Sequence, residues 1–245
     1  ALAPGQTGYA YNLALLLRDA RQHAEAAAMM EALAAAAPDN PDFAWDLALT
    51  RLYQGDLARG FAGYEARLRL ARNPRRTFPT PPWQGEDPAG RTLLVTSEQG
   101  FGDALQFARF LPLLMARGAR VVVECLPELV ELFSTIPGLA GLLPKGAPPP
   151  PHDAWVPIAS LPYRLGVGRT IDVPARVPYL EPPPGLLPPL PARPPGTRLT
   201  AGLVWAGKMT PRDRSWPFEA LAPLLERPDV AWVSLQMGPR AADLA

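Results

Sequence analysis

The residues best suited to chemistry lie in Ser97–Glu98–Gln99–Gly100–Phe101–Gly102–Asp103, a turn between an apolar run and a helical pattern. In a parallel sheet such a turn falls at the carboxyl end of a strand, where ligands bind. Gly100 and Gly102 would let a backbone approach a ligand closely. The helix that follows would offer free N–H groups and a partial positive charge. Asp103 carries two readings. As a helix cap it is favoured by those free N–H groups and by the helix dipole. As a general base it would accept a proton from an attacking hydroxyl, provided the carboxylate comes within hydrogen-bond reach.

A second loop, Trp205–Ala206–Gly207–Lys208–Met209–Thr210–Pro211–Arg212–Asp213–Arg214–Ser215–Trp216–Pro217, also lies between a strand pattern and a helix pattern. Lys208, Arg212 and Arg214 place three cations close together in this loop. Such a loop can clamp a diphosphate, with Arg giving paired hydrogen bonds and Lys a point charge. It can equally be a solvated surface loop with one weak Arg–Asp pair. Ser234–Leu235–Gln236–Met237–Gly238 repeats the strand-then-glycine pattern. Gly100-x-Gly102 opens a dinucleotide fingerprint, and Glu124 stands where an acid could bind a ribose. The third glycine position, however, is Leu105, too large for the close helix–strand contact that the fingerprint needs.

The elements that must position these loops have two different periods. Residues 1–72 read as helix, rich in Ala, Leu and Met. A self-comparison at one fixed offset places Leu13 on Leu47, Ala14 on Ala48, Arg21 on Gly55, Ala26 on Gly60 and Met30 on Tyr64. Small residues fall where antiparallel helices must approach closely. Pro38 ends the first unit, and Asp39–Asn40–Pro41 turns into the next. The offset and the pattern resemble the tetratricopeptide repeat, with units at about Gly8 to Pro38 and Asp42 to Leu70; a plain helical hairpin bundle is the alternative.

After a basic, Pro-broken linker, strand and helix patterns alternate. Strands are predicted at Thr92–Thr96, Arg120–Cys125 and Asp153–Ile158, with helices at Asp103–Ala116 and Pro127–Phe133. Continuous apolar strands alternating with helices imply a parallel α/β sheet over residues 73–195. Beyond the proline-rich stretch 182–195, residues 196–245 read as strand (Leu199–Trp205), helix (Phe218–Leu225) and strand (Val230–Leu235). A lone βαβ unit cannot bury both sheet faces. It is therefore expected either to be completed by further sequence, the favoured reading, or to add strands to the first sheet.

Composition narrows the classes. The 245 residues carry a formal net charge of +1, which argues against a nucleic-acid or membrane-surface partner. No apolar run reaches the roughly 18–20 residues of a membrane span. One cysteine, Cys125, excludes an internal disulfide and fits a reducing, cytoplasmic setting. Two histidines without Cys partners make a His/Cys zinc site improbable.

Taken in order, several segments resemble bacterial tetratricopeptide-repeat glycosyltransferase proteins. They are Leu52–Asp56 with Gly60–Arg67, Pro82–Gly85, Glu98–Phe110, Ser160–Pro162, Val177–Leu180, Gly202–Gly207, Arg214–Ser215 and Ser234–Gln236. Those proteins are similar to the heptosyltransferase group, glycosyltransferase family 9. The resemblance implies helical repeats followed by a GT-B-like Rossmann lobe and the start of a second, incomplete one. It implies inverting transfer from a nucleotide-activated sugar to an acceptor hydroxyl, with no metal and no separate cofactor. Asp103 would be the base as that hydroxyl attacks an anomeric carbon. Lys208, Arg212, Arg214, Gly207 and Gln236 would hold the donor, and Glu98, Gln99, Gly100 and Gly102 would position the acceptor or the loop. The repeats would bind a protein or peptide. One departure stands out: the family's further Asp–Thr…His–Leu–Ala-type segment has no counterpart before Ala245, so this chain is expected to lack much of the donor pocket. The competing expectation is a non-catalytic repeat-based interaction protein with a degenerate transferase fold.

Overall fold

The computed structural model describes residues 7–73, 76–185, 191–207, 213 and 215–244. It is a mixed helix-and-sheet protein of two compact units, Ala1–Leu186 and Leu187–Ala245.

Unit 1 opens with four helices, α1 (Thr7–Asp19), α2 (His23–Ala36), α3 (Pro41–Tyr53) and α4 (Leu57–Tyr64), and a 3-10 turn at Glu65–Arg69. Their starts repeat in phase: Thr7 to Pro41 is the same step along the chain as His23 to Leu57. It is also the step that relates Ala14 to Ala48, and residues paired in this way share their environments. Ala14, Ala48, Ala26 and Met30 are fully buried, and Tyr64 and Leu47 nearly so. Caps set the boundaries. Asn40 Oδ1 accepts from Asp42 N at 3.0 Å ahead of Pro41, whose missing N–H costs nothing at a helix start. Asp56 Oδ1 accepts from Arg59 N at 3.2 Å at the start of α4. Arg21 and Gly55, related by the same step, both take positive φ, +62° and +81°, in the turns after α1 and α3.

The lobe that follows holds a four-stranded parallel sheet, β1 (Thr92–Thr96), β2 (Arg120–Cys125), β3 (Gly141–Pro144) and β4 (Ala154–Pro157), in the spatial order β3-β2-β1-β4. The expected helix at 103–116 is two helices, α5 (Phe101–Ala108) and α6 (Leu111–Ala116). Pro112 has no N–H to give and its ring clashes one turn back, so the helix breaks at Arg109–Phe110. The expected helix at Pro127–Phe133 is a 3-10 turn leading into α7 (Val130–Phe133). β3 was not predicted, because four residues framed by Gly141 and Pro144 carry little strand signal. A 3-10 turn at Ile158–Ser160 and the short α8 (Leu161–Arg164) follow β4.

Strand alternation divides the core. Leu93, Val95, Val121, Val123, Ala154 and Val156 face one cluster with Phe107, Leu111, Leu114 and Phe133. Leu94, Val122 and Leu143 face the other way, packed with Phe78, Ala147 and Trp155. Trp83, 1% exposed, joins the larger cluster and donates its Nε1 to Glu86 O at 2.9 Å. Gly85, at φ +106°, lies so close to the Arg164 carbonyl that a Cβ would stand 2.9 Å from it. The Pro82–Gly85 segment is thus a structural anchor beside β4.

Unit 2 holds β5 (Leu199–Leu203) and β6 (Val230–Ser234), paired in parallel as a separate two-stranded sheet, with a 3-10 turn at Phe218–Leu221 and α9 (Ala222–Leu225) between them. Among the described residues these strands do not extend the first sheet. No residue of either strand is fully buried.

Candidate functional site

β1 ends at Thr96, and the loop from Ser97 to Gly100 delivers the chain into α5. Gly100 is the N-cap, with its N–H donating to Asp103 Oδ2 at 3.1 Å. The Asp103 carboxylate therefore closes the first turn of α5, the capping role expected of an acid there. It is half-buried. Gly102 is exposed, and a Cβ built on it would meet nothing within 4 Å. Nothing in the chain's own packing requires a glycine at that position. It borders an open groove of about 550 Å³ floored by Leu105, Phe107 and Phe110 from the lobe and walled by Leu57 and Phe61 of α4. Arg109, whose guanidinium lies 4.5 Å from the Tyr179 ring centroid, closes one side.

Glu98 and Gln99 behave differently from their glycine neighbours. Arg67, at the end of the helical segment, is 0% exposed. Its Nη2 donates to Glu98 Oε1 at 2.6 Å and to Ser160 Oγ at 2.7 Å, and its Nη1 donates to Glu65 Oε1 at 2.6 Å. Ser160 Oγ donates onward to Glu65 Oε1 at 2.8 Å, and Arg164 Nη2 donates to Glu65 Oε2 at 3.0 Å. Burial pushes the Glu98 carboxyl up, opposed by Arg67, whose two carboxylate partners keep it protonated. Tyr64 OH donates to Gln99 Oε1 at 3.2 Å while its ring packs on Phe107. Glu98, Gln99 and Ser160 thus join the helices to the lobe and fix the course of the loop that carries Asp103. Nothing local marks Arg67 for this joint, because arginine is seldom fully buried.

Glu124, the acid considered for a ribose, is 0% exposed and is held bidentately by Arg76, with Nη2 to Oε2 at 2.8 Å and Nη1 to Oε1. Together with Leu105, this removes the dinucleotide reading. Burial pushes the Cys125 thiol up to about 11, which makes it a poor nucleophile at neutral pH. Among the described residues no group of three His, Cys, Asp or Glu is placed to hold a metal, and no helix is long and apolar enough to cross a membrane.

In unit 2 the loop after β5 is shaped from within. Gln236 Oε1 accepts from Trp205 N at 3.1 Å and Ala206 N at 2.9 Å, while Nε2 donates to Ala206 O at 3.2 Å and Met237 O at 2.8 Å. Every hydrogen-bonding position of that amide is engaged by backbone, so Gln236 positions the loop. Trp205 Nε1 donates to Asp243 Oδ2 at 2.9 Å, and Gly207 N donates to Ser215 Oγ at 3.2 Å. The Arg240 hydrogen bond, with that from Trp205, holds the Asp243 carboxyl below its usual range. A shallow basin of about 570 Å³ lies over Trp205, Gly207, Trp216 and Leu221. Lys208, Arg212 and Arg214 lie outside the described residues.

No family model matches the chain, and no solved structure matches it. The chain is similar over its whole length to Protein FlbA of Caulobacter vibrioides, at 29% identity across 279 aligned residues, and it spans 46% of that protein, about half its length.

Proposed function

We propose that the chain is part of an inverting, metal-independent glycosyltransferase, with tetratricopeptide-type helices joined to a GT-B-like lobe and working in the cytoplasm on a nucleotide-activated sugar. The observation that carries this reading is the end of the β1 loop. Asp103 stands half-buried at the start of α5, next in the chain to Gly102, which lines an open groove. In the proposed reaction Asp103 takes the proton of the acceptor hydroxyl as its oxygen bonds to the anomeric carbon. The bond to the donor phosphate oxygen breaks, and the nucleoside diphosphate leaves. Lys208, Arg212 and Arg214 would balance the charge that develops on the leaving group. The in-phase spacing of α1 with α3 and of α2 with α4 supports the repeat reading, and a peptide or protein is the partner those helices would take.

Asp103→Asn tests the assignment in the complete protein. Transfer should fall by roughly 10²–10⁴-fold with donor binding nearly unchanged, as for loss of a general base. Turnover that survives while thermal stability drops would leave Asp103 as a cap only. One observation favours the second reading, a non-catalytic interaction protein: the Asp103 carboxylate is already engaged by the Gly100 N–H. Calorimetric titration with a panel of nucleoside diphosphates separates the two, because a pure interaction module would bind none.

A further inference from the structure

The second face of the four-stranded sheet changes character at its carboxyl end. Along this face lie the apolar Leu94, Val122 and Leu143 with Trp155, then Thr96 and Glu124. β2 lies on one side of β1 and β4 on the other, so the chain reverses its winding direction between β1 and β4. Open α/β sheets bind ligands at such a point. There the molecule has a partly open cavity of about 340 Å³, distinct from the groove beside Gly102.

Apolar, small polar and charged groups line this cavity, the charged ones being Arg76, Lys145 and Glu98. Trp155, braced by Phe78 at 5.1 Å between ring centroids, forms a flat apolar wall together with Pro157 and Leu68. Thr96, Thr77 and Asn73 bring small polar groups, the Asn73 amide also donating to Arg67 O at 2.8 Å. Thr96 is only 2% exposed, so what its side chain meets beyond the protein is the cavity. Lys145, which follows β3, and Arg76, whose guanidinium lies 5.0 Å from the Phe78 ring centroid, supply positive charge. Of the carboxylates nearby, Glu98 is matched by Arg67 and Glu124 by Arg76. Lys145 has no ion-pair partner among the described residues, so the cavity's unmatched charge is positive. Arg76 also keeps N–H donors beyond the two spent on Glu124.

Length narrows the occupant. Trp155 belongs to β4, and Lys145 follows β3 at the opposite edge of the sheet, three inter-strand spacings or about 14 Å away in backbone terms. A lone phosphate is too small to meet both Trp155 and Lys145. A flat ring, a hydroxylated middle and a terminal anion in line can do so. We propose that this cavity binds a nucleoside monophosphate, with the base against Trp155, the ribose hydroxyls at Thr96, Thr77 and Asn73, and the phosphate at Lys145 and Arg76. The cavity borders the loop of the transferase reading at Glu98, but Trp155, Lys145 and Arg76 lie outside that loop and the proposal does not rest on it.

Calorimetric titration of the chain with AMP, GMP, CMP and UMP, each beside its nucleoside and inorganic phosphate, tests the proposal. At least one monophosphate should saturate with a Kd below about 1 mM, and the matching nucleoside and phosphate should each bind at least about tenfold more weakly. Lys145→Ala, at an exposed position, should weaken that binding about tenfold or more. Trp155→Phe should weaken it less. Gln236→Ala, in unit 2, should leave it unchanged. Absence of saturable binding by all four monophosphates overturns the site, as does binding indifferent to Lys145→Ala. Binding lost in Gln236→Ala and kept in Lys145→Ala would place the nucleotide on unit 2, overturning this site while favouring the transferase reading.

Discussion

At the scale of single residues, the polar groups of unit 1 divide between those spent on the fold and those left open. Arg67 belongs wholly to the first kind. A fully buried guanidinium bonded to Glu98, Glu65 and Ser160 is tolerated because its charge and its donors are matched at once. Removing it leaves the largely buried Glu98 without its ion-pair partner, while Glu65 keeps Arg164. Arg67→Ala is therefore expected to cost about 3–5 kcal/mol, read as a lowered midpoint in urea unfolding. A loss under about 1 kcal/mol would mean that water readily replaces the guanidinium. Gly102, by contrast, contacts nothing that its lack of a side chain relieves. Within one loop, Glu98 and Gln99 are thus held by side chains of the helical segment, while Gly102 borders the open groove.

At the scale of elements, the common phase of the helices explains an otherwise odd backbone. Gly55 takes φ +81° in the turn after α3, where a glycine adopts the left-handed region without penalty. In the equivalent turn after α1 the chain carries Arg21 at φ +62°. A long side chain there costs energy in the folded state. Arg21→Gly should raise stability by up to about 1 kcal/mol, tempered by the greater freedom of glycine in the unfolded chain. Thermal unfolding reads the change, and a lower melting temperature would show that the Arg21 side chain contributes more than its backbone costs. The offset was legible because helix spacing is written in local residues. The break between α5 and α6 follows from Pro112, a signal present in the sequence but outweighed by the continuous helical pattern around it. β3 became a strand only because β2 offers it an edge to pair with.

At the scale of the whole molecule, the two units differ in how much they bury. Unit 1 sets a parallel sheet between two apolar clusters and ties its helices to it through Arg67 and Tyr64. In unit 2 Leu235 is 59% exposed and Trp216 62%, and neither strand holds a fully buried residue. Local stability follows buried apolar contact. Backbone amides of β5 and β6 should exchange with solvent at least about a hundredfold faster than those of β1 and β2 in this chain. Equal protection in both sheets would mean that unit 2 is held by something other than its own burial.

What the sequence determined by itself was local: helix phase, apolar strands, caps, and the placing of glycines and an acid at a strand-to-helix turn. Those features depend on neighbours a few residues away, and β1, β2 and β4 lie where the pattern put them. What only the tertiary structure decided was which polar residues face one another. Arg67 meets Glu98 across 31 residues and Ser160 across 93, and Arg76 meets Glu124 across 48. Whether a charged side chain is a joint or a binding group depends on what burial leaves unmatched. That is settled by groups distant in the chain and adjacent in space, which no local pattern records.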